Sequence, residues 1–337
     1  MYIEENVPLA PLTTFNIGGP ARFFVRVQSL DDLREAIDFA KEKKLKVLAL
    51  GGGSNTLADD VGFPGLVLKM DMLGVELIAG DGDSSILVAG AGESWDAVVA
   101  RAIARGLWGI ENLSGIPGTV GAAPVQNIGA YGAEAKDALV WVEAFHIQTG
   151  RITRFEKSEC KFSYRMSLFK KNPGIYFITR VAFLLHRKGT PNISYRDLSE
   201  FFTGNAAPTL QEIRDAILSI RARKFPDLSK EGTAGSFFLN PIVSAEKAMQ
   251  LRERFPDLPS YPAETGAKVS LAWLLDHALH VRGMRIGGAR LFEKQPLIIV
   301  ADRGTSSCDV YALADSVIEK MRDVLNIKVE TEVQKVF

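Results

Sequence analysis

Between residues 20 and 50 the apolar positions change their period once, and that change marks the first two elements. In PLTTFNIGGPARFFVRV, Phe23, Val25 and Val27 alternate with Phe24 and Arg26, a period of two that predicts a strand. From Ser29 the period lengthens to that of a helix: Leu30, Leu33, Ile37 and Ala40 share one stripe and Ser29 caps it with Asp32 three residues on. Lys41, Lys43 and Lys44 crowd the last turn, where the helix dipole favours cations. The strand LKVLAL then runs into Gly51-Gly52-Gly53-Ser54-Asn55-Thr56 and GLVLKM returns as a further strand, so residues 1–70 read as one small α/β unit.

From Asp71 the same two periods continue. ILVAG is a strand; Ser94 caps a helix whose buried face is Trp95, Val98, Val99, Ala102 and Ile103, and Gly106 ends it. LVWVEAFHI and IYFITRVAFLL, rich in β-branched and aromatic residues, read as strands of a sheet in an α+β layer. Thr209 and Glu212 form a capping box for a helix to Lys224, with Ile213, Ala216, Ile217 and Ile220 facing inward and Arg221 and Lys224 continuing that face. After a break at PDLSKEGTAGSFFLNP come a helix from Ser244, a helix over SLAWLLDHALH and the strand PLIIVA. A helix from Ser307 follows, with the face Val310, Leu313, Val317, Met321 and Val324. In the closing IKVETEV, period two sets Ile327, Val329 and Val333 against a solvated acidic face of Glu330 and Glu332.

Composition narrows the function classes. At 337 residues, 47% hydrophobic and 24% charged, the chain is long enough for two or three domains with sizeable cores. Lys plus Arg, 40, balances Asp plus Glu, 40, so no net basic field argues for nucleic acid or an anionic membrane. An anionic small molecule would need a local cluster. Cys160 and Cys308 have no metal-type spacing and fit a reducing compartment. MYIEENVPLAPL has no signal-peptide pattern and no apolar run reaches the ~18 residues of a membrane helix, so a cytoplasmic protein is expected.

The candidate chemistry centres on residues 111–132, ENLSGIPGTVGAAPVQNIGAYG, where Gly115, Gly118 and Gly121 recur every three residues and Glu111 is almost the only charge. Such a stretch allows main-chain N–H groups to approach a flat or phosphorylated ligand; it also suits a plain connection. GGGSNT lacks the third glycine of a Rossmann fingerprint and is followed by breaks at Gly62 and Pro64 instead of a long helix, which leaves an anion nest or a tight turn. Tyr164-Arg165 lies among apolar residues, either as a functional cation or as an edge-strand arginine reaching solvent along its stem. Arg221 and Lys224 point to an anion site rather than simple complementation of the helix dipole. Ser236 sits on a turn of small residues beside Phe237-Phe238, without the Gly-x-Ser-x-Gly elbow or nearby histidine of a hydrolase. His277 and His280, three apart on one helix, lack a third ligand, so no metal is expected.

Taken in order, TTFNIGG, LGGGSNTL, AGAGESW, IPGTVGAAPVQNIGAYG, CKFSYRMSLFK, SYRDL, RKFPD, AGSFFLNP, RGMRIGGA and VETEV resemble the UDP-N-acetylenolpyruvoylglucosamine reductase family nearly end to end. The resemblance implies an α+β fold: an FAD-binding module of the p-cresol methylhydroxylase and vanillyl-alcohol oxidase kind, with α+β subdomains at 1–70 and 71–225. A substrate-binding domain at 226–326 and a C-terminal strand, 327–337, carrying Glu332 would follow. It implies an NADPH-dependent flavoenzyme reducing the enolpyruvyl ether of UDP-N-acetylglucosamine-enolpyruvate, monomeric, with no nucleic-acid or membrane partner. Gly51, Gly52, Gly53, Ser54, Asn55 and Thr56 would wrap the FAD pyrophosphate. Ile116, Pro117, Gly118, Thr119, Gly121, Ala122, Ala123, Gln126, Asn127 and Gly129 would hold the rest of the cofactor. By the same resemblance Ser236 is the proton donor and Arg165 and Glu332 the other catalytic residues, while Tyr131, Tyr164, Tyr195, Arg221, Lys224, Asn240 and Gln295 meet the substrate. The SYRDL tyrosine implies the longer type, whose tyrosine-bearing loop closes over the substrate. Many members have Glu-Pro-Glu where this chain has Glu330-Thr331-Glu332, and alignment on Val333 favours Glu332 as the catalytic carboxylate. Two other readings fit a flavin module: an FAD oxidase of the same superfamily with another substrate, and a non-catalytic flavin-binding protein.

Overall fold

Helix Leu30–Glu42 begins in the capping box its sequence predicts, with Ser29 Oγ accepting from Asp32 N and the Asp32 carboxylate accepting from Ser29 N. The computed structural model describes residues 1–205 and 207–337, which fall into two units. The first is Met1–Val7, Ala21–Gly52 and Pro64–Arg223; the second is Pro8–Pro20, Gly53–Phe63 and Lys224–Phe337.

Two sheets build the first unit. One has four strands in the order Glu4–Pro8, Pro20–Val27, Phe63–Met70, Val47–Leu50, the last two parallel with Val47 opposite Leu66. Ala21, Phe23, Val25 and Val27 are buried while Pro20, Arg22 and Arg26 are exposed, the expected alternation, with Phe24 the one residue of the outer face that is also buried. The other sheet has five antiparallel strands in the order Ile152–Glu156, Leu139–His146, Tyr176–His186, Ser84–Gly90, Val75–Ala79. Its two outer strands carry mostly exposed residues, which is why no apolar alternation announced them.

Helix Trp95–Ile103 buries Trp95, Val98, Val99, Ala102 and Ile103 as expected. Ser94 stands at its N-cap but its side chain makes no capping bond; its backbone instead bridges to Thr119. Helix Leu210–Lys224 keeps the Thr209–Glu212 capping box, with Thr209 N donating to Glu212 Oε2 at 2.7 Å and Glu212 N to Thr209 Oγ1 at 3.3 Å. Ile213, Ala216, Ile217 and Ile220 are buried, and Leu198 and Phe202 pack in the same cluster.

The second unit has a sheet ordered Gly232–Ser236, Gln295–Ala301, Ala289–Phe292, Arg285–Ile286 and a smaller one ordered Ile242–Val243, Gly266–Val269, Ser260–Ala263. Strands Thr56–Ala58 and Gln334–Val336 pair in parallel, with Thr56 opposite Gln334. Phe15, Leu57, Phe237, Phe238, Leu313 and Val317 share its core.

Three sequence expectations change here. On helix Ser307–Leu325, Val324 is 48% exposed and Leu325 takes its place in the core; from Met321 the helical period allows a step of three or four, and the left-handed Asn326 ends the helix just after the longer step. His277 and His280 do not share a helix: Leu271–Trp273 is continued by a π-turn over Leu274–Ala278, and His280 lies beyond it at φ +52°. Residues 327–333 form no continuous strand; Thr331 makes a single bridge to Phe238, and Glu332 is half-buried instead of lying on a solvated face with Glu330. No helix among the described residues is long and apolar enough to cross a membrane, and none of their His, Cys, Asp and Glu side chains group in threes for a metal.

Candidate active site

In the first unit, residues 111–132 run between two short 3-10 turns, Glu111–Leu113 and Val120–Ala122, and the hairpin Gly129–Ala130 with Ala133–Glu134. Trp95 anchors the stretch from below, its Nε1 donating to Leu113 O at 2.9 Å. Gly52 passes so close to Gly118 that a Cβ on it would lie 2.7 Å from the Gly118 Cα; one on Gly121 would lie 2.6 Å from the Ala91 Cβ. Both positions were expected to need glycine for approach to a ligand. The structure adds that glycine lets two segments of the protein cross each other. Lys69, largely buried, steadies the crossing by donating from Nζ to Gly51 O at 2.5 Å, and burial pulls its amine below the usual lysine value. Neither glycine periodicity nor motif pointed to Lys69.

Along the stretch, Pro117 and Ala122 are exposed and Ile116, Gly118, Gln126 and Gly129 half-buried, while Thr119, Gly121, Ala123 and Asn127 are buried. Asn127 is 0% exposed and its amide is committed to the protein: Nδ2 donates to Glu134 Oε2 at 3.0 Å and to Ser163 O at 3.3 Å, and Oδ1 accepts from Lys136 N at 3.0 Å. Its side chain therefore shapes the loop.

A cation stands at each end. Arg165 is not on an edge strand; it occupies a turn at φ +52° and donates from Nη2 to Gly129 O at 2.7 Å and from Nη1 to Asn127 O at 3.4 Å. Tyr164 lies beneath it, its ring centroid 5.7 Å from the guanidinium carbon. Arg221 lies against Gly115, where an added Cβ would be 3.0 Å from its Cδ, and hydrogen-bonds the Tyr131 hydroxyl. Burial draws the Arg221 guanidinium below its usual value and pushes the Tyr131 phenol up to about 12. Tyr195, 45% exposed, meets the Tyr131 ring edge-on at 5.5 Å. Charge, aromatic rings and glycine backbone thus lie along the same stretch of this unit, a set of groups suited to a flat, anionic ligand such as FAD.

The second unit gathers a different group. Ser236 ends strand Gly232–Ser236 opposite Ile298, beyond a register shift and beside Gly235 at φ +74°. Glu332 N donates to Phe237 O at 2.8 Å, so the candidate proton donor and carboxylate lie on neighbouring backbones. Asn55 ties the GGGSNT turn to this pair, donating from Nδ2 to Glu332 O at 3.2 Å and accepting Gln334 N at 2.9 Å. Ser54 is half-buried, while Gly53 and Thr56 are buried, Thr56 within the parallel ladder. Asn240 Oδ1 accepts from Leu271 N at 2.9 Å, Gln295 opens the strand Gln295–Ala301 opposite Phe292, and Lys224 is half-buried at its helix end.

A family model described as the FAD binding domain matches residues 21–156, and one described as the UDP-N-acetylenolpyruvoylglucosamine reductase C-terminal domain matches residues 227–336. The chain is 41% identical over 320 residues to UDP-N-acetylenolpyruvoylglucosamine reductase of Neisseria meningitidis, spanning 94% of this chain and 92% of the relative. With the reductase of Pseudomonas aeruginosa it shares 40% over 336 residues, 98% of both chains. Among solved structures it is similar to UDP-N-acetylenolpyruvylglucosamine reductase from Thermus caldophilus, with a TM-score of 0.70 and 25% identity over 100% of both chains.

Proposed function

The chain belongs to the UDP-N-acetylenolpyruvoylglucosamine reductase family, and on that premise we propose that it uses FAD and NADPH to reduce UDP-N-acetylglucosamine-enolpyruvate to UDP-N-acetylmuramate in peptidoglycan precursor synthesis. The observation that supports this reading is the backbone hydrogen bond from Glu332 N to Phe237 O, which brings the Glu332 backbone next to the residue that follows Ser236. An FAD-binding module of two α+β subdomains, 1–70 and 71–225, of the p-cresol methylhydroxylase and vanillyl-alcohol oxidase kind, is supported by the two sheets of the first unit. A substrate domain at 226–326 and a closing segment at 327–337 complete the proposal, as do a monomeric state and a cytoplasmic location.

When bound, FAD supplies two-electron hydride chemistry, with NADPH as the source. Gly51 to Thr56 would hold its pyrophosphate through backbone and hydroxyl donors, and the exposed and half-buried positions between Ile116 and Gly129 would hold the remainder. Reduction of the vinyl group leaves negative charge on the carbon that bears the substrate carboxylate. Arg165 binds that carboxylate and takes up part of the charge, with Glu332 polarising the site. Ser236 delivers a proton to that carbon from Oγ; a hydroxyl is a weak acid, so the basicity of the carbanionic centre drives the transfer. Arg221 and Lys224 bind the anionic groups of the UDP-sugar, Tyr195 closes over it, and Tyr131, Tyr164, Asn240 and Gln295 line it.

A visible spectrum of the purified protein tests the reading. Flavin maxima are expected, bleached by NADPH without oxygen and restored by the enolpyruvyl substrate. Restoration by oxygen with sustained turnover, and none by substrate, would make the protein an oxidase; a yellow protein that NADPH leaves unbleached would be a binding module.

A further inference from the structure

Two charged side chains that the functional reading does not use meet beside the glycine stretch. Asp96, in the first turn of helix Trp95–Ile103, receives Arg214 in a two-pronged pair, Nη1 to Oδ1 at 2.6 Å and Nη2 to Oδ2 at 2.8 Å. The same Oδ1 accepts the Gly115 N–H at 2.6 Å. Gly115 has φ +71°, a backbone state that the carboxylate helps hold in one orientation. Arg214, Leu218 and Arg221 then fall at intervals of four and three on helix Leu210–Lys224, one face beside its buried stripe. Leu218 and Arg221 both lie on Gly115: an added Cβ there would be 2.8 Å from Leu218 Cδ2 and 3.0 Å from Arg221 Cδ.

We propose that Asp96 and Arg214 are positioning residues, fixing the Gly115 peptide and the rotation of helix Leu210–Lys224 against it, so that the backbone from Ile116 to Gly129 keeps the course that receives FAD. The inference rests on the reading that this stretch takes FAD. It follows from charge as well as geometry. Asp96 is useful as an acceptor for Gly115 but harmful as an anion near an anionic ligand, and Arg214 cancels that charge while gripping both oxygens. Removing Arg214 alone leaves the carboxylate uncompensated; removing the charge of Asp96 alone leaves a cation that does not repel the ligand.

The test is an FAD titration of the apo full chain, followed by flavin fluorescence, on wild type, D96N, R214Q, R214K, the double variant D96N/R214Q and E76Q. Glu76 pairs with Arg180 on the surface at 3.2 Å, so E76Q loses an ion pair without touching the stretch. R214Q is expected to bind FAD about 10- to 100-fold more weakly, D96N less affected, and the double variant to recover part of the R214Q loss. Added salt should narrow the R214Q defect, because the repulsion behind it is screened. R214K should fall between wild type and R214Q, and E76Q should match wild type. Circular dichroism selects the folded variants; should R214Q not fold, R214K and D96N carry the comparison. FAD affinity within about twofold of wild type in folded R214Q, an R214K no tighter than R214Q, a double variant worse than R214Q, or, where R214Q does not fold, R214K and D96N both within about twofold of wild type, would overturn the clamp. A wild type that takes up no FAD sinks the functional reading instead, so the two failures are separable.

Discussion

Replacing Gly52 by alanine adds one methyl group where the 51–56 turn crosses the 111–132 stretch. That carbon would lie 2.7 Å from the Gly118 Cα and 3.2 Å from its carbonyl carbon. Both are backbone atoms, so no rotamer change relieves the contact. To reach an ordinary carbon separation of about 3.5 Å the segments must part by roughly 0.8 Å. Overpacking of this kind costs about 1–3 kcal/mol, and the chain entropy alanine removes from the unfolded state offsets about 0.4–1 kcal/mol. A net loss of about 1–2 kcal/mol lowers the melting temperature by roughly 2–8 °C for a domain of about 150–250 residues. The same displacement stretches a backbone hydrogen bond to a ligand from about 2.9 Å past 3.5 Å, beyond useful length. Losing one charge-assisted bond of about 1.5–3 kcal/mol weakens FAD binding about 10- to 100-fold. Thermal melts of the apo protein and fluorescence titration with FAD read the two effects separately. Gly106→Ala is the control: at φ +69° with nothing within 4 Å of an added Cβ, it strains the backbone without pressing on the crossing, and should leave FAD affinity unchanged. A Gly52→Ala protein with wild-type melting and wild-type affinity would refute the steric argument, whereas lower melting with unchanged affinity would remove the turn from the cofactor site.

Ser236→Ala should still be bleached by NADPH at the wild-type rate but be reoxidised by the enolpyruvyl substrate ~10²–10⁴-fold more slowly; equal slowing of both phases in stopped-flow absorbance would end its role as proton donor. Lys224→Ala should weaken binding of the UDP-sugar by about tenfold, and an unchanged titration would return Lys224 to complementing its helix end. Arg214 holds Asp96 below its unfolded value of 3.8, so its contribution to stability is complete above that pH and is lost as pH falls through the lower folded value. Asp96→Asn should therefore flatten the acid limb of a denaturation curve followed by circular dichroism, and superimposable limbs would show that the pair contributes nothing to stability.

Local pattern was a good guide where the cause is local. The boxes at Ser29–Asp32 and Thr209–Glu212 join residues three apart, and the stripe from Ile213 to Ile220 correctly carried Arg221 inward, because side chains three and four apart share a helix face. Ser94 shows the limit: its residue type favours capping, yet its backbone was drawn to Thr119 and its side chain makes no cap. Asp96 and Arg214 stand 118 positions apart, and no period reports such a pair. Strand Thr56–Ala58 is three residues long with a partner nearly the whole chain away, so neither length nor alternation announced it. Ser236 and Glu332 were legible only through resemblance to a family; their neighbourhood comes from a register of 237 against 332 that composition does not encode.

The ladder between Thr56–Ala58 and Gln334–Val336 also sets an order in time. In a growing chain, residues 56–58 lack their partner until residues 334–336 have been made. Met1–Val7, Ala21–Gly52 and Pro64–Arg223, by contrast, are all made by residue 223 and can pack without waiting. Closing so long a loop adds only a logarithmic entropy cost, but pairings this remote in sequence are slow to find. Asn55 reaches Glu332 and Gln334 through the same closure. The Glu332 backbone is therefore tied to Phe237 and Asn55 by one of the last events of folding, whereas the segment that holds residues 111–132 has every partner of its own unit in hand long before.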